Sequence, residues 1–401
     1  AGGIAGYVTG TPGSTTTPAT VEFTDCYNEG LIVADGNQGG GIAGSVSGAV
    51  TLERCYNSAD IEGNQMLGGI TSAFSGTGPK MINCYNTGNI TAKAQRAGGL
   101  IAWGAPTNGV VEGCWNTGHI SSTSEEQNTK ATSSNEIGGL AGSNAAAFIN
   151  CYNAGTVEGL SRVGGLVGNT TKAKTSFTNC YNAGKIIAPA DSCGSIVGIS
   201  VKNDKQWTEG NTMTNCYYVD TNVCDNDADA TAQALTVAGL AALDLGDGFD
   251  SVDDYTFPVV KGFADNDAAM LNAAQIIFSG SDTADNVTGS FHVGGTPVVK
   301  WSSDCAVLAF NESMASFTDA FSGKIKVTAS AGDFSKVFEL QVSATSGIDE
   351  TGAGALEVVN SRYYNVSGIE VAAPAAGDGN AYVVVRTFSD GSVKVEKIVM
   401  K

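Results

Sequence analysis

A tripeptide that keeps returning constrains this chain more than any other feature. Cys26-Tyr27-Asn28 recurs as Cys55-Tyr56-Asn57, Cys84-Tyr85-Asn86, Cys114-Trp115-Asn116, Cys151-Tyr152-Asn153 and Cys180-Tyr181-Asn182, then fades at Cys216-Tyr217-Tyr218. The cysteines lie 29, 29, 30, 37, 29 and 36 residues apart, a base period of 29 with two short insertions. A fixed period of this length marks a repeat array, in which no unit buries its apolar face alone and neighbours must stack.

With each Cys counted as position zero, the columns read as chemistry. Position +2 is Asn in six repeats, +4 is Gly30, Ala59, Gly88, Gly118, Gly155 and Gly184, and +6 is Ile32, Ile61, Ile90, Ile120, Val157 and Ile186. Even positions therefore face one way, as on a strand. Position -3 is apolar as well (Phe23, Leu52, Met81, Val111, Phe148, Phe177, Met213), which is out of phase with an inward Cys. A bend or bulge is expected between the two, near the polar -1 residue. Asn followed two residues later by Gly is expected to supply the positive φ of the next corner. Stacked Asn side chains are expected to hydrogen-bond along the array.

A second signature follows each Cys, as Gly40-Gly41-Ile42-Ala43-Gly44, Gly68-Gly69-Ile70, Gly98-Gly99-Leu100, Gly138-Gly139-Leu140-Ala141-Gly142, Gly164-Gly165-Leu166-Val167-Gly168 and the weaker Gly194-Ser195-Ile196-Val197-Gly198. Paired glycines allow close backbone approach, and the aliphatic after them enters the core. Several short strands per repeat, without helical periodicity, predict an all-β fold: a parallel β-helix (solenoid) of about seven coils, right-handed by the usual crossover rule.

Gly-Gly-Leu-Ala-Gly and Gly-Gly-Leu-Val-Gly resemble the GLUG motif, a repeat of bacterial surface proteins and of accessory regions in some proteins called immunoglobulin A1 peptidases. The resemblance covers residues 1–225 and implies a scaffold. Residues 226–262, acidic and with helical composition over Ala230 to Leu243, resemble the terminal piece that follows GLUG arrays. A cap is needed there, because the last coil otherwise leaves an unpaired strand edge. Over 263–346, the alternating runs Val298 to Ser303, Ser322 to Ala329 and Val337 to Val342 predict a small β-sandwich, similar to bacterial immunoglobulin-like domains. The last part, 347–401, resembles the C-terminal sorting domain of Bacteroidetes secreted proteins and is expected to be a small β domain.

Charge and cysteine usage narrow the class. The formal charge of -19 over 401 residues argues against nucleic acid, which needs a basic footprint. No apolar run is long enough to span a bilayer. Ala1 to Gly6 reads as the second half of a repeat, so the chain is expected to start inside a trimmed precursor. Seven of the ten cysteines share one column, where stacked side chains point in parallel; they are expected to be reduced core thiols. Cys193, Cys224 and Cys305 lie off that column and are free to pair.

No catalytic residue is expected. The two histidines, His119 and His292, form no His-Glu-x-x-His, and there is no Gly-x-Ser-x-Gly elbow or phosphate-binding Gly-Lys-Ser/Thr loop. Carboxylates beside the ladder (Asp25, Glu53, Glu112) fall in two columns without an obvious pair for glycan cleavage. Binding candidates are the aromatic column of Tyr27, Tyr56, Tyr85, Trp115, Tyr152 and Tyr181, which parity places outside. There it either stacks on sugars or a partner protein, or packs over a neighbouring turn. The polar insertion from Ser121 to Glu136 adds Glu125 and Glu126. Asp225, Asp227 and Asp229 imitate the start of a calcium loop, but Ala230 and Thr236 stand where an EF-hand needs Gly and Glu. A looser calcium site and plain acidic surface both stay open, and no other cofactor is expected. The reading is a non-catalytic, secreted or cell-surface bacterial scaffold that binds a glycan or host protein. The alternative is the accessory region of an immunoglobulin A1-type peptidase or polysaccharide-degrading enzyme.

Overall fold

A computed structural model describes residues 1–10, 20–123, 135–170, 175–198, 211–220, 224, 231–250, 257–263, 266, 269, 274, 276–278, 286–294, 299–311, 314–331, 334–343, 358–365, 370–371, 381–388 and 393–399. The chain forms two compact units, Ala1–Ser316 with Gly323–Ser343, and Phe317–Ser322 with Ala344–Lys401.

The repeats form the predicted parallel β-helix, nearly all of it short strands. Each full coil contributes to five stacked sheets, and like columns pair in register: Tyr27 with Tyr56, Tyr56 with Tyr85, Tyr85 with Trp115, and so on to Tyr217. The sheet carrying the -3 column has seven strands, from Val21–Thr24 to Thr212–Thr214. The Tyr-Asn sheet has eight, because Gln233–Leu235 pairs with Tyr217–Val219 beyond the last repeat.

The predicted bend is present in every coil. Each -1 residue is left-handed, namely Asp25, Arg54, Asn83, Gly113, Asn150, Asn179 and Asn215, with φ between 50° and 61°. That reversal turns both the -3 aliphatic and the Cys inward. The glycines at +4 play a different part from the one expected. None of Gly30, Gly88, Gly118, Gly155 and Gly184 has positive φ. A Cβ on Gly88, Gly118, Gly155 or Gly184 would instead run into the carbonyl of the same column one coil back. Intercoil contact, not dihedral freedom, excludes side chains there.

The Asn column forms the expected row. From Asn28 to Asn153, each Nδ2 donates to the carbonyl at +4 and to Oδ1 of the next Asn, at 2.7–2.9 Å. Asn57 to Asn182 are fully buried, so these bonds satisfy groups that water cannot reach. The second glycine of each Gly-Gly pair makes the space; a Cβ on Gly99 would sit 2.5 Å from Asn116 Cγ.

Two apolar clusters fill the solenoid. One joins the -3 aliphatics, the ladder cysteines and the residues after Gly-Gly (Ile42, Ile70, Leu100, Leu140, Leu166, Ile196). The other joins the +6 aliphatics to Leu67, Ala97, Ile137 and Val163. Each buried aliphatic contributes about 1.5–3 kcal/mol. The ladder cysteines are free thiols, as expected, and Cys193 is bonded to Cys224.

Beyond the solenoid, the helical expectation over Ala230 to Leu243 resolves into the strand Gln233–Leu235 and a single five-residue helix, Val237–Ala241. A short antiparallel pair follows, Phe249–Asp250 with Val259–Val260. Residues 276–342 make two small sheets, one of four strands and one of three, the latter built on Gly323–Ala331 against Phe334–Val342. In the second unit, Glu370–Val371, Val358–Asn365, Ala381–Phe388 and Val393–Val399 form an antiparallel sheet. No helix among the described residues is long and apolar enough to cross a membrane.

Candidate functional site

The Tyr/Trp column lies on the outer side of its sheet, in a cluster separate from the solenoid core. Its rings stack on one another along the solenoid axis. From Tyr27 to Tyr181 the centroids are 4.3–5.7 Å apart and the planes lie within 8° of parallel. A face that stacks on the next coil is closed to a sugar. Of the two readings of this column, packing over neighbouring turns is the one the stacked rings fit, while Tyr27 on the first coil has no ring stacked on its outer face among the described residues.

Residues 249, 257, 258 and 263, beyond the array, close most of the row from the side. Phe263 meets Tyr85 and Trp115 edge-on at 5.7 Å, and Tyr181 packs on Phe249 and Phe257 and donates its hydroxyl to the Pro258 carbonyl. Val299, Ala329 and Ala331 complete the cover. Tyr85 is 7% exposed and Trp115, Tyr152 and Tyr181 are fully buried, so these four members of the predicted binding column are packing residues. Tyr27, at 56% exposed, and the half-buried Tyr56 remain reachable. Sequence parity placed the rings outside correctly, but it could not show that a segment beyond the array folds over them.

Where the cover stops, a cleft of about 360 Å³ opens, lined by Asp25, Arg54, Tyr56, Asn83, Tyr85, Lys261, Gly262, Phe263 and Asn266. The left-handed -1 column supplies one wall, since positive φ turns Asp25, Arg54 and Asn83 out of the strand line. Arg54 bridges coils: its Nε and Nη2 reach the two Asp25 oxygens at 2.7 and 3.0 Å, and its Nη1 pairs with Glu53. The Arg54 hydrogen bond holds the Asp25 carboxyl below the usual range. Tyr56 and Tyr85, stacked on each other, both line this space. Burial, helped by a 3.0 Å hydrogen bond to Glu29, pushes the Tyr56 phenol up to about 12, so it is a neutral hydroxyl at physiological pH. Lys261 and Gly262, on the turn after Val259–Val260, also line the cleft.

A second polar cluster went unnoticed in the sequence. Glu136, 4% exposed at its side chain, accepts from Arg96 Nε at 2.7 Å, Arg162 Nη1 at 3.3 Å and Asn169 Nδ2 at 2.8 Å. Arg96, Glu136 and Arg162 each precede a strand of one sheet, Ala97–Gly98, Ile137–Gly138 and Val163–Gly164. An alternating-charge column was therefore there to be read. It anchors the returning end of the insertion. Glu125 and Glu126 lie outside the described residues, as do Asp225, Asp227 and Asp229. Among the described residues no group of three His, Cys, Asp or Glu is placed to hold a metal ion.

A family model described as the GLUG motif matches residues 159–187, one coil running from the Gly-Gly corner through Cys180-Tyr181-Asn182. No curated protein matches the chain. Among solved structures, a candidate immunoglobulin A1 protease from Bacteroides ovatus is similar at a TM-score of 0.45 and 16% identity, over 65% of this chain and 86% of that one.

Proposed function

We propose that this protein is a non-catalytic scaffold, secreted or held at the surface of a bacterium, that binds glycan at the open end of its tyrosine row. The observation that carries the reading is the cleft beside Tyr56. It combines fixed polar groups (the Asp25–Arg54 pair, Asn83, Asn266, the Tyr56 hydroxyl) with the free outer face of Tyr27 one coil away. Sugars need both elements, in-plane donors and acceptors for hydroxyls and one apolar ring face for the C–H side of the pyranose. The solenoid lowers the ordering cost, since Asp25 and Arg54 are held against each other across adjacent coils. The GLUG match supports the location, as this motif recurs in bacterial surface proteins.

A glycan array on the intact chain tests the reading, followed by titration of any hit against Tyr27→Ala and Arg54→Ala. Loss of one stacking face or of the bridging guanidinium is expected to weaken binding about tenfold, with unfolding midpoints little changed. A blank array, or hits indifferent to both substitutions, would overturn it.

A further inference from the structure

Charge bookkeeping inside the cleft narrows the sugar class. The charge of Arg54 is offset, since its Nε, Nη1 and Nη2 each bond to an oxygen of Asp25 or Glu53, while two of its five N–H groups stay open to a hydroxyl. Glu29 is engaged by the Tyr56 hydroxyl. Of the charges lining the cleft, only the ammonium of Lys261 is exposed and, among the described residues, without an ion pair. Lys261 is also the sole basic residue between Asp225 and Asp267, against ten acidic ones. This cation shares the cleft with neutral polar groups, the Asn83 and Asn266 amides and a protonated tyrosine.

We infer that the cleft takes an acidic sugar, with a single anionic substituent against Lys261 and the ring hydroxyls against the Asp25–Arg54 wall. The inference rests on the glycan reading and specifies its ligand. A carboxylate on a uronic or sialic acid and a sulfate ester share the required chemistry. The surrounding charge of -19 adds a length limit: a long polyanion meets repulsion from the whole chain, whereas a short oligosaccharide places its charge at the one favourable point.

Titration calorimetry with an oligogalacturonide, its methyl ester and a sulfated oligosaccharide of equal length separates the possibilities. The acid is expected to bind about fivefold more tightly than the ester, the gain of one exposed ion pair. Lys261→Gln should erase that difference, bringing the affinities for acid and ester together. A gain from sulfate equal to that from carboxylate supports recognition of charge alone, and a gain from carboxylate only supports a carboxylate-specific contact. Equal binding of acid, sulfate and ester to the native protein, or an acid preference that survives Lys261→Gln, overturns the inference while the glycan reading stands. Failure of all three ligands on a protein that also leaves the array blank removes the glycan reading itself.

Discussion

The asparagine row shows how one residue type can hold a solenoid in register. Asn116 donates to the Gly118 carbonyl and to Asn153 Oδ1, and accepts from Asn86. Replacing it with Ala strands a buried amide on one side and a buried acceptor on the other. Asn116→Ala is therefore expected to cost about 2–4 kcal/mol in chemical unfolding. Asn28→Ala, at the partly solvated end of the same row, should cost about 1 kcal/mol or less, since water replaces the lost partner. Equal losses at both positions would show that the row contributes locally and not through burial. The +4 glycines teach the complementary point. Their identity was legible and their reason was not, because a carbonyl from the previous coil, invisible in local sequence, occupies the place of the Cβ.

At the level of the element, the capping segment and the strand Phe334–Val342 decide which tyrosines stay open. Lys336 on that strand donates to the Ala154 carbonyl at 3.4 Å and sits 5.0 Å from the Phe338 ring, and among the described residues it makes no ion pair. Burial lowers its pKa from 10.5 to about 8. The unfolded chain thus binds the proton more tightly, and between pH 8 and 10.5 it holds more protons than the folded chain. Stability should rise with pH across that window, and the charge penalty is fully felt below pH 8. Lys336→Met is expected to add about 1–2 kcal/mol at pH 7, after allowance for partial solvation, and to flatten the rise. Urea midpoints for both proteins at pH 7 and pH 10 check this. An unchanged slope in the variant would place the titrating group elsewhere. Alternation in this strand was readable, as were the bend at every -1 residue and the inward aliphatics after Gly-Gly. The seating of the strand on the solenoid was not, since it depends on shape matching between segments nearly two hundred residues apart.

For the whole molecule, nine of the ten cysteines divide by position into two chemistries, with Cys305 a buried free thiol off the ladder. The ladder thiols donate to backbone carbonyls two residues back and are sealed in the core, and burial pushes Cys114 and Cys180 up, so that few of their thiolates exist at neutral pH. Cys193–Cys224 ties the last Gly-Gly-like corner to the chain beyond the final coil. Closing a loop of 31 residues stabilises by about 3–4 kcal/mol through the unfolded chain. Replacing both with Ser should lower the unfolding free energy by that order. In the native protein, a thiol reagent followed by mass spectrometry should label the partly exposed Cys26 first and the deeper ladder thiols only on unfolding. Rapid labelling of Cys114 or Cys151 would contradict a sealed core.

The 29-residue period determined the architecture before any coordinates, because a repeat that cannot bury itself has only its copies to bury against. Strand phase, the bend, the Asn row and the reduced thiols follow from that stacking, in which each residue's neighbour is its own counterpart. The candidate site is different in kind. Which rings are covered and which residues of the later chain meet the -1 column depend on the chain folding back from beyond the array. Such contacts join segments that share no period, so only the tertiary structure could decide them.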